Sequence, residues 1–293
     1  MSPSHILLAL LVAVIWGINF TIIRIGLGSF PPILLVAIRF VVVALPVFLF
    51  PRPNISWKRF FALGIFLFLG QFTFLFTSMS VGMPAGVASI LMQSQVFLTI
   101  LIAAVFLKEM PTRIQVIGMV IACLGLFIIS ETVGGADFTL LGLLLCLTAA
   151  AFWATGNVLL RGIGKVDMLA LVTWLSLIPP IPLFALSYVL EGPDAIAGAF
   201  SSIDWVSIGV ILYLAFLSTT VCYAIWSRLL AQYSAATVVP FALLVPIFGM
   251  GSAMIFLGEQ FGPLRLTGMA LVFVGLVIAV LPVKHFRKLL AKY

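Results

Sequence analysis

One pattern constrains this chain more than any other: ten long apolar runs, at about 6–27, 31–50, 60–81, 85–107, 114–130, 138–160, 168–190, 205–226, 235–257 and 264–281. Each approaches the ~20 residues a helix needs to cross a hydrocarbon layer about 30 Å thick. Breakers separate them, among them Pro31-Pro32, Pro51-Arg52-Pro53-Asn54, Lys108-Glu109-Met110-Pro111, Gly134-Gly135, Glu191-Gly192-Pro193-Asp194 and Gly262-Pro263. Lipid offers backbone groups no hydrogen-bond partner, so runs of this kind close their own bonds as helices. The expected fold is an all-α integral membrane protein with ten transmembrane helices. With 64% hydrophobic and 8% charged residues in 293, nothing is left for a separate soluble domain. The first run has no basic leader and no small-residue cleavage site before Trp16, so it reads as a retained span rather than a signal peptide.

The net charge of +7 then becomes a signal of sidedness rather than of affinity for nucleic acid. An even number of spans puts both termini on one side. That side collects Arg52, Lys58, Arg59, Lys108, Arg113, Arg161, Lys165, Arg228, Lys284, Arg287, Lys288 and Lys292, twelve of the fifteen cations. The other collects Arg24 and Arg265, with the acids Glu131, Asp137, Glu191, Asp194, Asp204 and Glu259, while Arg39 falls inside the second span. Lysine and arginine mark the cytoplasmic face, so both termini are expected there.

The chain also repeats itself. Glu109-x8-Gly118-x6-Gly125 returns as Glu259-x8-Gly268-x6-Gly275, and Trp16, Asn19 and Arg24 have an echo in Trp153, Asn157 and Arg161. The halves are residues 1–133 and 138–281, five spans each, followed by a basic cytoplasmic tail at 282–293. Five is odd, so the second repeat is expected to enter the membrane inverted, with a central cavity between the two. Inverted repeats suit transport, because rocking one half against the other yields two states of similar energy.

Several chemistries are disfavoured. Cys123, Cys146 and Cys222 stand apart inside apolar runs, the two histidines, His5 and His285, lie in the tails, and no Walker or dinucleotide-binding glycine pattern occurs. No metal, cofactor or nucleic-acid partner is implied, and no deep Ser-His, Asp-Asp or His-Glu pair supports an enzyme. The partners expected are a small-molecule substrate and the bilayer, and nothing in the sequence demands more than a monomer.

The opening Trp16-Gly17-x-Asn19, Arg39-Phe40 in the second span, the glycine-containing bend before the fourth, and the Glu109 loop with its trailing glycines and their second-half counterparts resemble the EamA-type branch of the drug/metabolite transporter (DMT) superfamily. Within it the chain is similar to bacterial amino-acid and metabolite exporters, of the YddG-like and cysteine/O-acetylserine exporter-like kinds. The resemblance runs over essentially the whole chain. It implies ten spans, two inverted five-helix repeats and a cavity opening alternately to either side. Importers and carriers of sugar phosphates or nucleotide sugars rank lower, since a phosphate needs several cations at membrane depth and only Arg39 is there. A scaffold would leave the inverted repeat without a purpose.

Polar side chains inside spans must face protein or water, and that rule selects the candidates. Asn19, Gln71, Gln93 and Asn157 offer both donors and acceptors to a zwitterion, with Trp16, Trp153 and Tyr223 as amphipathic walls. Interhelical glue and core packing compete with ligand binding at each of them. Gln93 and Gln95 point about 200° apart on one helix, so one of the two is expected to pack or cap. Pro240 and Pro246 are read as a hinge or a satisfied kink in the ninth span, and Gly118, Gly125, Gly268 and Gly275 as seats for close helix packing. Trp57, Trp205 and Trp226 are expected in the interfacial belt. Arg39 could pair transiently with a carboxylate-bearing substrate, but the structural role is favoured, in which it snorkels or bonds backbone carbonyls, and Glu109 and Glu259 are expected to pair with Arg113 and Arg265. No acid lies deep in a span, which argues against strong proton coupling and leaves facilitated efflux open.

Overall fold

A computed structural model of the chain describes residues 1–134, 137–161, 163–164, 166–233 and 235–280. The basic tail at 282–293 lies outside the described residues. Ten helices are long and apolar enough to cross a membrane: spans 1 (Pro3–Gly26), 2 (Pro32–Leu49), 3 (Trp57–Ser80), 4 (Ala85–Phe106), 5 (Arg113–Ser130), 6 (Leu140–Leu160), 7 (Met168–Leu190), 8 (Trp205–Gln232), 9 (Val239–Leu257) and 10 (Pro263–Val280). The protein is a multi-pass membrane protein, all-α among the described residues, where the only β-type pairing is the isolated Gly134–Phe138 bridge.

The helices begin where capping chemistry places them. Ser56, Thr112, Thr139, Asp167 and Asp204 each accept a backbone N–H of the following first turn, and Thr112 and Gln115 form a reciprocal capping box. Bonds from the Ser207 hydroxyl and backbone hold the exposed Asp204 carboxyl below its usual range. A short helix, Pro193–Ser201, connects spans 7 and 8.

Six spans are not uniform: span 2 ends as a 3-10 helix over Leu45–Leu49, and span 7 breaks between Leu175 and Pro180. Spans 3 and 8 each contain a π-helical segment, at Ile65–Gly70 and Tyr213–Val221, while span 4 breaks at Met92-Gln93 and span 9 opens as a 3-10 helix over Val239–Leu244. The breaks in spans 2 and 7 fall in the second span of each half, the π segments in the third, and those in spans 4 and 9 in the fourth. Pro240 lies within the 3-10 turn, and the buried Pro246 stands at the start of the α-helical remainder. A π turn leaves backbone carbonyls displaced from the regular ladder and is a frequent companion of functional sites.

The last spans of the two halves, 5 and 10, lie against each other along a glycine seam. A Cβ on Gly118 would sit 2.6 Å from the Gly275 carbonyl oxygen, and one on Gly125 would sit 2.6 Å from that of Gly268. The contacts are reciprocal. Such backbone approach supplies the close van der Waals packing that drives helix association in lipid. The main apolar core draws residues from all ten spans, with Phe40, Phe76, Leu34, Leu63 and Met79 fully enclosed.

Candidate functional site

Spans 1, 2, 3 and 8 meet at a polar nest within the bundle. The Asn19 carbonyl accepts the Ser218 hydroxyl at 2.8 Å, and the Trp16 indole donates to the Ser218 backbone oxygen at 2.9 Å. The indole also lies edge-on to Tyr223 at 5.8 Å and against Trp226 at 5.2 Å. One residue further along span 8, Thr219 donates to Leu214 five residues back, a bond the π turn makes available, and accepts Arg39 Nη2 at 2.8 Å. The Arg39 guanidinium is 4.2 Å from the centroid of Phe72 and 5.7 Å from that of Phe40. Gln71, buried at the end of the other π segment, immediately precedes Phe72.

A second nest gathers at the break in span 4. Gln93 donates to the Ala242 carbonyl in the 3-10 turn of span 9 at 3.4 Å, while the Asn157 amide of span 6 donates to the Gln95 carbonyl at 2.7 Å. The break therefore sends the two glutamines to different spans. Trp153 is half-buried against the main core, beside Phe152, whose ring lies on Gly70 and 5.1 Å from Phe74 of span 3. The candidates thus fall in two places: Trp16, Asn19 and Tyr223 in the first nest with Gln71 at its edge, and Gln93 and Asn157 in the second.

Four expectations are corrected. Arg39 does not snorkel: its side chain is 3% exposed, and it bonds a hydroxyl where a backbone carbonyl was expected, because the π turn aims Thr219 at it. Glu259 ignores Arg265 and accepts the backbone N–H groups of Ala85 and Gly86 at 2.6 and 3.0 Å, since the start of span 4 presents two free donors there. Arg265 instead donates to Thr132 and covers the Phe138 ring. Glu109 pairs with Arg161 rather than Arg113. Trp226 leaves the belt for the Trp16 cluster, whereas Trp205 and Trp57 are exposed.

Sequence reasoning passed over Ser218, Thr219 and Tyr213, whose hydroxyl donates to Ile15 at 2.7 Å. The signal was there in Ser218-Thr219-Thr220, three hydroxyls in the middle of an apolar span. Taken together, the nests offer donors and acceptors of both kinds, ring faces and one fixed cation. Among the described residues, no three His, Cys, Asp or Glu side chains group in the manner of a metal site.

A ten-span bundle with polar nests between its helices defines a polytopic membrane protein of the carrier type. The chain belongs to the EamA-like transporter family, whose model matches it twice, over residues 3–131 and 140–281. It is 39% identical over 286 residues to the "Probable amino-acid metabolite efflux pump" of Salmonella typhimurium strain LT2 and 38% identical over 286 residues to its Escherichia coli K12 namesake, with 96% of each chain covered in both comparisons. The "Probable terminal-alkyne amino-acid exporter" of Streptantibioticus cattleyicolor is 27% identical over 95% of this chain and 94% of its own. One solved crystal structure superposes with a TM-score of 0.60 over 99% of both chains at 17% identity, a likeness of fold alone.

Proposed function

We propose that this protein is a secondary transporter exporting amino acids and related small metabolites across the bacterial inner membrane by alternating access, with both termini in the cytoplasm. The observation that carries this reading is that both polar nests are closed by bonds between the two halves of the chain. Asn19 meets Ser218, and Gln95 meets Asn157. A site shared between halves opens when they rock apart, which is the geometry alternating access uses.

Support for two inverted five-helix repeats comes from matched irregularities. The π segments recur in the third span of each half, the left-handed residues Lys108 (φ 57) and Gly258 (φ 66) recur before Glu109 and Glu259, and the glycine seam pairs equivalent residues reciprocally. Support for the cargo comes from the names of the relatives and from nests that offer both donors and acceptors. The asymmetry of cations supports the orientation. The absence of any Asp or Glu inside the described spans favours facilitated efflux over strict proton coupling. Trp16, Asn19, Gln71, Gln93, Trp153, Asn157 and Tyr223 are the proposed substrate contacts. The same interior favours a carrier over an enzyme, since hydrogen-bonded amides without a paired nucleophile and base bind but do not cleave.

Purified protein in liposomes loaded with radiolabelled L-amino acids is the test. Release of at least one above that from protein-free liposomes is expected, without an imposed pH gradient. Strict dependence on that gradient overturns the uncoupled reading. Unchanged release by a folded protein carrying both Asn19→Ala and Gln71→Ala overturns the site.

A further inference from the structure

Arg39 has no counter-ion among the described residues. All eight acids stand in loops or at helix ends, and the ion pair seen among the described residues, Arg161–Glu109, is at the surface. Only 3% of Arg39 is exposed, and an enclosed charge without a partner is among the costliest things a protein can hold. Arginine does not escape by losing its proton, which it binds too tightly.

The guanidinium is also held on one side only. Nη2 is tied to Thr219, whose own hydrogen is committed to Leu214, so the hydroxyl can only accept. Phe72 covers the group at 4.2 Å. Nε and Nη1, both buried, have no acceptor. Ring faces supply part of the missing electrostatic attraction, but they leave in-plane N–H groups unfilled. A group so positioned is arranged for a planar anion that arrives from outside the chain.

We propose that Arg39 is the anchor for the carboxylate of the transported amino acid, a reading that rests on the export function above and names the end of the cargo that arginine holds. Carboxylate is the planar acceptor whose oxygens match guanidinium N–H groups in geometry and sign. Trp16, Asn19, Ser218 and Tyr223, reached from Thr219 within one turn of span 8, then surround the remainder of the molecule. The carboxylate brings the charge that the arginine lacks, so the buried cation is satisfied only in the loaded protein. Cargo selection follows: an amino acid is preferred over its uncharged amide or ester.

The experiment is counterflow in liposomes containing the intact protein, with L-leucine, L-phenylalanine and L-serine competed by their primary amides. In the unaltered protein the acid competes at least about tenfold better than the amide. In Arg39→Gln that preference falls to near unity and amide competition is retained, while Arg39→Lys keeps an intermediate preference. A folded Arg39→Gln with the preference intact overturns the proposal and leaves the arginine structural. If Arg39→Gln does not fold, the unaltered protein decides: its melting temperature rises with the amino acids and not with the amides, and equal rises overturn the proposal. Preference that vanishes in chloride but not in gluconate, and is independent of Arg39, assigns the charge to an inorganic anion and likewise overturns it. No counterflow of any amino acid by the unaltered protein breaks the export reading itself.

Discussion

Glu109 and Glu259 stand at the same point of the repeated pattern and leave their helices identically, yet they do different work. Each follows a left-handed residue, Lys108 or Gly258, and each donates its own backbone N–H six residues back, to Ala103 at 3.3 Å and to Ala253 at 3.2 Å. From there Glu259 reaches across to cap span 4, where Gly86 leaves room for the carboxylate, while Glu109 meets Arg161 at the surface. The loops that follow odd-numbered spans are joined in several further ways. Glu191 caps the start of span 2 through Ile33 and Leu34, Thr139 bonds Val81, and Arg24 bonds Met79. At the opposite end the ties include the exposed Glu109 pair, Ser2 and His5 to Tyr233, and Trp174 to Phe50. Burial follows the same gradient. Span 4 is enclosed from Ala85 to Ser94 and partly exposed beyond. Equivalent sequence therefore gives equivalent local geometry, and the neighbours decide whether it closes an end of the bundle.

The largest effect that would break this comparison is on stability. Glu259→Ala strands two backbone donors at the start of span 4 and is expected to cost about 3 kcal/mol, whereas Glu109→Ala, losing an exposed pair, costs at most about 1 kcal/mol. Denaturant unfolding in detergent micelles measures both, and equal losses would mean that the two ends are equally tied. Accessibility comes next. With the native cysteines replaced, Ser89→Cys is expected to react with a small polar maleimide at least about tenfold more slowly than Gln95→Cys, because exchange through a closed end needs an opening worth more than about 1.4 kcal/mol. Equal rates would place the closure elsewhere. The smallest effect lies in the turn itself. Lys108 takes a left-handed conformation that favours glycine, so Lys108→Gly is expected to stabilise by about 1 kcal/mol and Gly258→Lys to destabilise by a similar amount. Thermal melting of the two variants, moving in opposite directions, would establish that the two loops share one geometry.

The ten helices were legible because an apolar run in lipid has one way to satisfy its backbone, and the observed bounds fall within a few residues of the runs. That Trp16 and Asn19 bond a neighbouring helix was legible for the related reason that polar atoms within such runs require a protein neighbour. Their grouping was not. Ile65–Gly70 and Tyr213–Val221 read as ordinary apolar helix, since hydropathy carries no trace of the shift from four-residue to five-residue bonding. With the second of those turns unread, Thr219 had no reason to face Arg39, and snorkelling was the cheaper expectation. The salt-bridge expectations for Glu109 and Glu259 failed in the same manner, because nearness in sequence was taken for nearness in space.

Sequence alone determined the number of spans, the unequal sharing of cations between the two sets of loops and the twofold pattern, all consequences of local physics: apolar length, charge counting and repeated spacing. Tertiary structure decided which polar groups share a nest, which glutamate caps a helix, and that Arg39 is enclosed with Nε and Nη1 unbonded. Those outcomes depend on residues far apart in the chain, such as Asn19 with Ser218 and Arg39 with Thr219, brought within hydrogen-bond distance only when the helices assemble.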